Sequence, residues 1–187
     1  MQAEIRLRSD ATQEQLDLIC AMMQEVRDVP GDVVEIGSWK CGTSGTIAAT
    51  WPQRTVWAFD IFGGMPYGQE RQKPWDYFAD VDWNEVQEVA ANFPNLKLVR
   101  GQHEETVPEF AKKKIPIALL FMDSDHYLTH KVSLEYLAPL VSPEGVILFH
   151  DWKFQEVRQA IVDSMNLEEW KMLQVDDLYD MGALRKS

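Results

Sequence analysis

The sequence predicts an α/β fold: a mainly parallel β-sheet with helices on both faces. Three observations carry this. Short apolar runs recur at 33–37, 55–60, 96–100, 117–122 and 146–150. Segments with helical spacing separate them, and such alternation implies parallel strands joined by crossover helices. Two runs, Ile117-Ala-Leu-Leu-Phe-Met and Val146-Ile-Leu-Phe, are unbroken apolar stretches, as expected of strands buried on both faces.

The elements follow in order. Residues 11–29 place Leu16, Ile19, Cys20, Met23 and Val26 at helical spacing, and Pro30-Gly31 stops that helix. Val33-Val34-Glu35-Ile36-Gly37 is the first strand, 43–50 a helix, and 55–60 the second strand. A long connection, 61–83, contains Gly63-Gly64, Pro66, Gly68 and Pro74; in a compact domain a connection of that length points to function. Helix 84–92, strand 96–100, helix 104–113, strand 117–122 and helix 128–140 come next. Ser142-Pro143-Glu144-Gly145 reads as a turn into strand 146–150, and 153–165 as a helix. In the tail, 170–175 and 181–185 are short strands that would pair as a hairpin and add an antiparallel edge. No repeat, low-complexity tract or linker interrupts the chain, so residues 1–187 read as one domain.

Composition narrows the function. The formal net charge of −12 argues against a nucleic-acid partner, because phosphate binding needs clustered Lys and Arg. The one basic run, Lys112-Lys113-Lys114, suits a solvated helix end. Two cysteines, Cys20 and Cys41, make neither a disulfide framework nor a cysteine zinc site, and a reduced, cytoplasmic setting is expected. No signal peptide is recognisable, and no apolar run reaches the ~20 residues that span a bilayer. The first helix has enough apolar surface for a homodimer contact.

Chemistry-bearing residues cluster at strand ends. In open α/β sheets, ligands bind beyond the carboxyl ends of the strands. Two adjacent strands end in Asp123-Ser-Asp125-His126 and His150-Asp151-Trp152, a pattern able to place hard ligands around one divalent cation. The first strand leads into Gly37-Ser38-Trp39-Lys40-Cys41-Gly42-Thr43-Ser44. A dinucleotide fingerprint needs glycine where Trp39 stands, and no phosphate-binding loop motif is present. A glycine-containing turn without a phosphate clamp suits a ligand with an amino-acid end. Asp60 ends the second strand, where an acid either caps a helix or accepts both hydroxyls of a ribose. Gln102 and His103, after the third strand, are placed to border an adenine, although His103 also reads as a plain polar loop residue.

Together these blocks resemble the class I S-adenosylmethionine-dependent methyltransferases, most closely the macrocin-type small-molecule O-methyltransferases. Glu35-x-Gly37-x-Trp39-x-Cys41-Gly42-Thr43 is similar to that family's E-x-G-x-[WY]-x-G-G-S, with Cys41 replacing a glycine and Thr43 a serine. Phe59-Asp60-Ile-Phe-Gly-Gly-Met-Pro66, Val99-Arg-Gly-Gln-His-Glu-Glu-Thr-Val-Pro108, Met122-Asp-Ser-Asp-His-Tyr127 and Leu140-Val-Ser-Pro-Glu-Gly-Val-Ile-Leu-Phe-His-Asp151 resemble further family blocks, in order, over about residues 30–155.

The resemblance implies a Rossmann-like, seven-stranded, mostly parallel sheet with an antiparallel last strand. It implies an S-adenosyl-L-methionine site built from Glu35, Gly37, Ser38, Trp39, Gly42, Thr43, Asp60, Gln102 and His103. It implies Mg²⁺ or another divalent metal on Asp123, His150 and Asp151, with Asp125 as a substitute ligand. His150 departs from the usual acid, and an imidazole shifts preference toward Mn²⁺, Fe²⁺ or Zn²⁺. Such a metal would clamp a hydroxylated small-molecule acceptor, a sugar or phenol, and lower its hydroxyl pKa. Catechol-type relatives carry a lysine base three residues after the first metal aspartate; this chain has His126 there, so Asp123 and His126 are the catalytic candidates. His130, on the following helix, reads as a surface residue. Phe62, Tyr67, Trp75, Tyr77, Phe78 and Trp83 make the 61–83 connection a candidate substrate lid, and Trp152 a candidate pocket wall. Two other readings stand beside this one: a cephalosporin-hydroxylase-like enzyme, and a non-catalytic S-adenosylmethionine-binding protein.

Overall fold

The computed structural model describes residues 7, 9–63, 80–124, 126–176 and 180–187. In order the elements are α1 (Gln13–Glu25), β1 (Asp32–Ile36), α2 (Gly42–Thr50), β2 (Val56–Asp60), α3 (Trp83–Ala91), β3 (Leu96–Arg100), α4 (His103–Ala111), β4 (Ile117–Met122), α5 (Tyr127–Leu137), β5 (Val141–His150), α6 (Gln155–Ser164), β6 (Trp170–Asp176) and β7 (Met181–Lys186). The strands form one seven-stranded sheet in the order β3-β2-β1-β4-β5-β7-β6. β1 to β5 pair in parallel, and β7 runs antiparallel to both neighbours. The antiparallel strand is therefore internal, and β6 forms the edge.

Alternation along each strand divides the core into two layers. Val33, Ala58, Leu119 and Leu148 pack with Ile19, Met23, Ile47 and Val86, which come from α1, α2 and α3. Val34, Phe59, Leu120 and Phe149 pack with Val107, Phe110, Leu134, Val157 and Ile161, from α4, α5 and α6. Helices thus switch faces between β1 and β4, the position at which open α/β sheets leave a crevice for ligands. β1 and β4 are adjacent, with Glu35 level with Phe121.

Local chemistry sets the boundaries. α1 starts at a capping box: Thr12 Oγ1 accepts from Gln15 N–H, and Gln15 Oε1 accepts from Thr12 N–H at 2.8 Å. Its buried stripe is Ile19, Met22, Met23 and Val26. The helix ends well short of the expected residue 29. Arg54 donates to the carbonyls of Val26, Arg27 and Gly31, satisfying acceptors that further helical turns would have consumed. The expected turn at 142–145 is instead a bulge inside β5. Ile117 pairs with Val141 and Leu119 with Val146, so β5 spends five steps where β4 spends two. Glu144 there takes a φ of 64°, the left-handed conformation that makes this stretch look like a turn in sequence.

Candidate active site

Four strand ends meet at the switch point. Gly37 follows β1, Asp60 ends β2, Asp123 follows β4, and His150-Asp151 ends β5. Gly37 has a φ of 92°, and a Cβ there would stand 1.9 Å from the Asp123 carbonyl oxygen. Only glycine permits that approach. The junction is held by Asp123 N–H to Ile36 O at 2.8 Å and by Gly37 and Ser38 N–H to Phe59 O at 2.9 and 3.1 Å.

On the β1–β2 side, Asp60 organises the loop. Its Oδ2 accepts from Trp39 N–H at 2.9 Å and its Oδ1 from Phe62 N–H at 2.7 Å. Burial raises the Asp60 pKa, and these backbone donors and His103 counter it. Trp39 and Cys41 hold φ values of 44° and 59°, unfavourable for side-chain-bearing residues and persisting only where surroundings impose them. Cys41 thus performs the backbone task of the glycine it replaces. Burial pushes its thiol pKa up, which disfavours the reactive thiolate. Ser38 and Thr43 are buried, and Gly42 opens α2. Thr43 shares a 2.8 Å hydrogen bond with Ser9 of the N-terminal segment. Trp39 donates its indole N–H to Asp80, and Asp80 also pairs with Lys40.

Two buried polar atoms on this side have no hydrogen-bond partner among the described residues: Glu35 Oε1 and His103 Nε2. Glu35 accepts from Ser44 Oγ through its other oxygen. Burial pushes its carboxyl up to about 8, the Ser44 and Ser38 hydroxyls pull it down, and Asp123 and Asp60 add to the rise. His103 is the first residue of α4 and is buried, not the polar loop residue its sequence context suggested; burial lowers its pKa, against the pull of Asp60. Gln102 is the N-cap of α4 and uses its carbonyl to accept from Glu105 and Thr106 N–H.

On the β4–β5 side, His150 Nδ1 lies 3.0 Å from Asp123 Oδ1 and 3.6 Å from Asp151 Oδ1, aligned squarely with neither. Burial alone would lower the imidazole pKa, but contact with Asp123 and Asp151 pushes it up to about 11. A residue the sequence did not suggest completes the group: Gln15 of α1, whose Nε2 is 2.8 Å from His150 Nε2. Its legible signal was the Thr12-x-x-Gln15 capping-box pattern. Asp151 has a φ of 55°, and Asp180 pins the loop beyond it by accepting from Trp152 and Lys153 N–H.

His126 is the N-cap residue of α5, half-buried, and its carbonyl accepts from His130 N–H. His130 is fully buried, which corrects the expected surface position. It lies 2.9 Å from Ser124 Oγ through Nδ1 and stacks on Phe149 at 6.5 Å. Spacing could have shown this: His130, Ser133, Leu134 and Leu137 make one buried helical stripe. Asp125, Tyr67, Trp75, Tyr77 and Phe78 lie outside the described residues. Phe62 and Trp83, expected in the lid, belong to core packing; Phe62 is buried and meets Trp83 at 5.4 Å. Trp152 packs on Phe149 and over Gly182, where a Cβ would stand 2.2 Å from the indole. No described helix is long and apolar enough to cross a membrane.

Comparison with known proteins now bears on this site. The macrocin-O-methyltransferase (TylF) family matches residues 10–178. The chain is 30% identical over 152 residues to the 8-demethyl-8-(2,3-dimethoxy-alpha-L-rhamnosyl)-tetracenomycin-C 4'-O-methyltransferase of Streptomyces olivaceus, covering 72% of this chain and 58% of that protein. It is 32% identical over 142 residues to the demethyldecarbamoylnovobiocin O-methyltransferase of Streptomyces niveus, covering 67% and 54%. The crystal structure of CalS11, a calicheamicin methyltransferase, superposes with a TM-score of 0.80 at 26% identity, over 96% of this chain and 80% of that one. The chain thus spans somewhat over half the length of these curated relatives. The family match covers most of the chain, including every strand end that meets at the crevice, and the chain belongs to the macrocin-O-methyltransferase family.

Proposed function

We propose that the chain transfers the methyl group of S-adenosyl-L-methionine to a hydroxyl of a small molecule, a sugar or phenol within a natural product. One observation carries this reading. The carboxyl ends of β1, β2 and β3 bring together a fixed carboxylate, Asp60, and two buried polar atoms without a partner among the described residues, Glu35 Oε1 and His103 Nε2. Buried polar groups are satisfied in native structures, so these await a polar ligand. Asp60 suits a ribose diol, and Glu35 suits a cationic amine. Gly37 joins this group to the β4–β5 ends, so that a methyl donor on one side and an acceptor on the other would meet in line. His126 is assigned as the base that removes the hydroxyl proton, an imidazole being a side chain able to take a proton near neutral pH.

A divalent metal on Asp123, His150 and Asp151 would polarise the acceptor hydroxyl. The arrangement present does not suit one. Among the described residues no group of three or more His, Cys, Asp or Glu side chains is disposed to hold a metal. An imidazole that ligates through Nδ1 carries its hydrogen on Nε2 and aims it at an acceptor. Gln15 Oε1 is spent on Thr12 N–H, so the group facing Nε2 is an NH₂ donor. The same mismatch weighs against the iron that a hydroxylase would need.

The test is calorimetric titration with S-adenosylhomocysteine, followed by transfer of labelled methyl to a panel of hydroxylated acceptors. Binding that Asp60→Ala abolishes, with transfer that His126→Ala slows at least tenfold, is the expected result. Absence of any binding rejects the reading. Binding without transfer to any acceptor selects the non-catalytic alternative.

A further inference from the structure

We propose that His150 is a built-in occupant of the position between Asp123 and Asp151, fixed there by Gln15, so that the acceptor side of this site works without a divalent ion. The claim rests on the methyltransferase reading only for what the site does. Its geometry stands by itself.

The argument turns on donors and acceptors. Gln15 has one carbonyl oxygen and one NH₂. The oxygen accepts from Thr12 N–H at 2.8 Å, which is half of the capping box that starts α1. The NH₂ is therefore the group 2.8 Å from His150 Nε2, and Nε2 accepts. The ring hydrogen then sits on Nδ1. Nδ1 lies 3.0 Å from Asp123 Oδ1 and 3.6 Å from Asp151 Oδ1, so an N–H occupies the place where the two carboxylates converge. A second proton would go to Nε2 and meet the Gln15 NH₂, so Gln15 opposes the protonation that Asp123 and Asp151 favour, and Nδ1–H is kept either way. A metal there would need Nδ1 bare, Nε2–H facing an acceptor, and the Gln15 amide turned over, which costs α1 half of its capping box. Gln15 is thus a positioning residue that acts on the acceptor site through His150 from a helix outside the strand ends.

Two measurements test this. In protein carrying ¹⁵N-labelled histidine, long-range ¹H–¹⁵N correlation spectra should place the His150 hydrogen on Nδ1, and Gln15→Ala should convert that signature to a mixture of tautomers. A helix cap with no role at His150 would leave the spectrum unchanged. A wild-type spectrum with hydrogen on Nε2 alone overturns the proposal. In parallel, Mn²⁺, Mg²⁺ and Zn²⁺ are titrated separately into the wild type and His150→Asp. The wild type should show no saturable binding up to about 1 mM, the weak end of protein–divalent-cation affinities. His150→Asp, which places three carboxylates together, should bind Mn²⁺ at least tenfold more tightly than that limit. Saturable wild-type binding that Asp123→Asn removes overturns the proposal, as does a folded His150→Asp that gains no affinity. If His150→Asp fails to fold, the wild-type spectrum and titration decide alone. Homocysteine-nucleoside binding is scored separately, so loss of the methyltransferase reading and loss of this one are distinguishable.

Discussion

The two halves of the crevice are built on opposite principles. On the β1–β2 side, backbone donors hold Asp60 in place, yet Glu35 Oε1 and His103 Nε2 are buried without partners among the described residues. On the β4–β5 side, His150 Nε2 lies 2.8 Å from Gln15 Nε2, and Nδ1 sits 3.0 Å from Asp123 and 3.6 Å from Asp151, aligned squarely with neither. The first half leaves polar atoms facing no described side chain, whereas the second gathers its ionisable groups against one another. A buried unsatisfied polar group costs about 1–3 kcal/mol, which is recovered when the ligand supplies the bond. On the proposed function, a ligand would satisfy the β1–β2 side, whereas the β4–β5 side is ordered by contacts already present.

Gly37→Ala should break both halves together. The new Cβ would fall 1.9 Å from the Asp123 carbonyl, at a φ of 92°. We expect a loss of about 3 kcal/mol or more of stability by urea unfolding, with loss of homocysteine-nucleoside binding. Gly63→Ala, whose nearest atom is 3.9 Å away, is the control; a similar loss in both would mean that the β1–β4 junction is not special.

The next effect separates the halves. Asp60→Asn should weaken S-adenosylhomocysteine binding by about tenfold or more, since a charge-assisted acceptor is lost. Asp123→Asn should leave that affinity within about threefold and abolish methyl transfer. Equal losses of affinity would merge the two halves into one.

Protons provide a third handle. Glu35 titrates near 8 in the folded chain against an ordinary 4.5. Between those values the folded state holds the extra proton, so stability falls as pH rises through that window. Glu35→Gln removes the titration. Its urea midpoint should gain on the wild type by an amount worth a few kcal/mol between pH 5 and pH 8.5. A gap that stays constant with pH would place the Glu35 carboxylate in contact with water.

The smallest effect should come from Gln15→Ala. Loss of half a capping box costs about 1 kcal/mol, and homocysteine-nucleoside affinity should not change. A drop in that affinity would show that α1 reaches across to the β1–β2 side.

The sequence exposed the β1–β2 side better than the β4–β5 side, for a physical reason. Gly37 and Asp60 are placed by a strand and one turn, so short-range pattern locates them. The mainly parallel sheet with helices on both faces followed from strand–helix alternation. Gln15 reaches His150 across 135 residues, and no local rule encodes that pairing. His130 was misplaced because its polarity outweighed its position on the Leu134 and Leu137 stripe. The 142–145 stretch has turn composition, but pairing of its flanks with β4 turned it into a bulge. The end of α1 depended on Arg54, another long-range partner.

The strand order at the far side of the sheet bears on biosynthesis. β7, and not the sequentially nearer β6, lies against β5, with Val146 level with Arg185 and His150 with Met181. A nascent chain that has emerged only through α6 presents β5 with one flank unzipped, and β5 is among its most apolar segments. Such a flank is a template for another chain. It closes only when Gly182 slides beneath the Trp152 indole. Translation pauses after α6 would lengthen that exposure, and this is the interval in which a chaperone or a neighbouring ribosome's product would meet the protein.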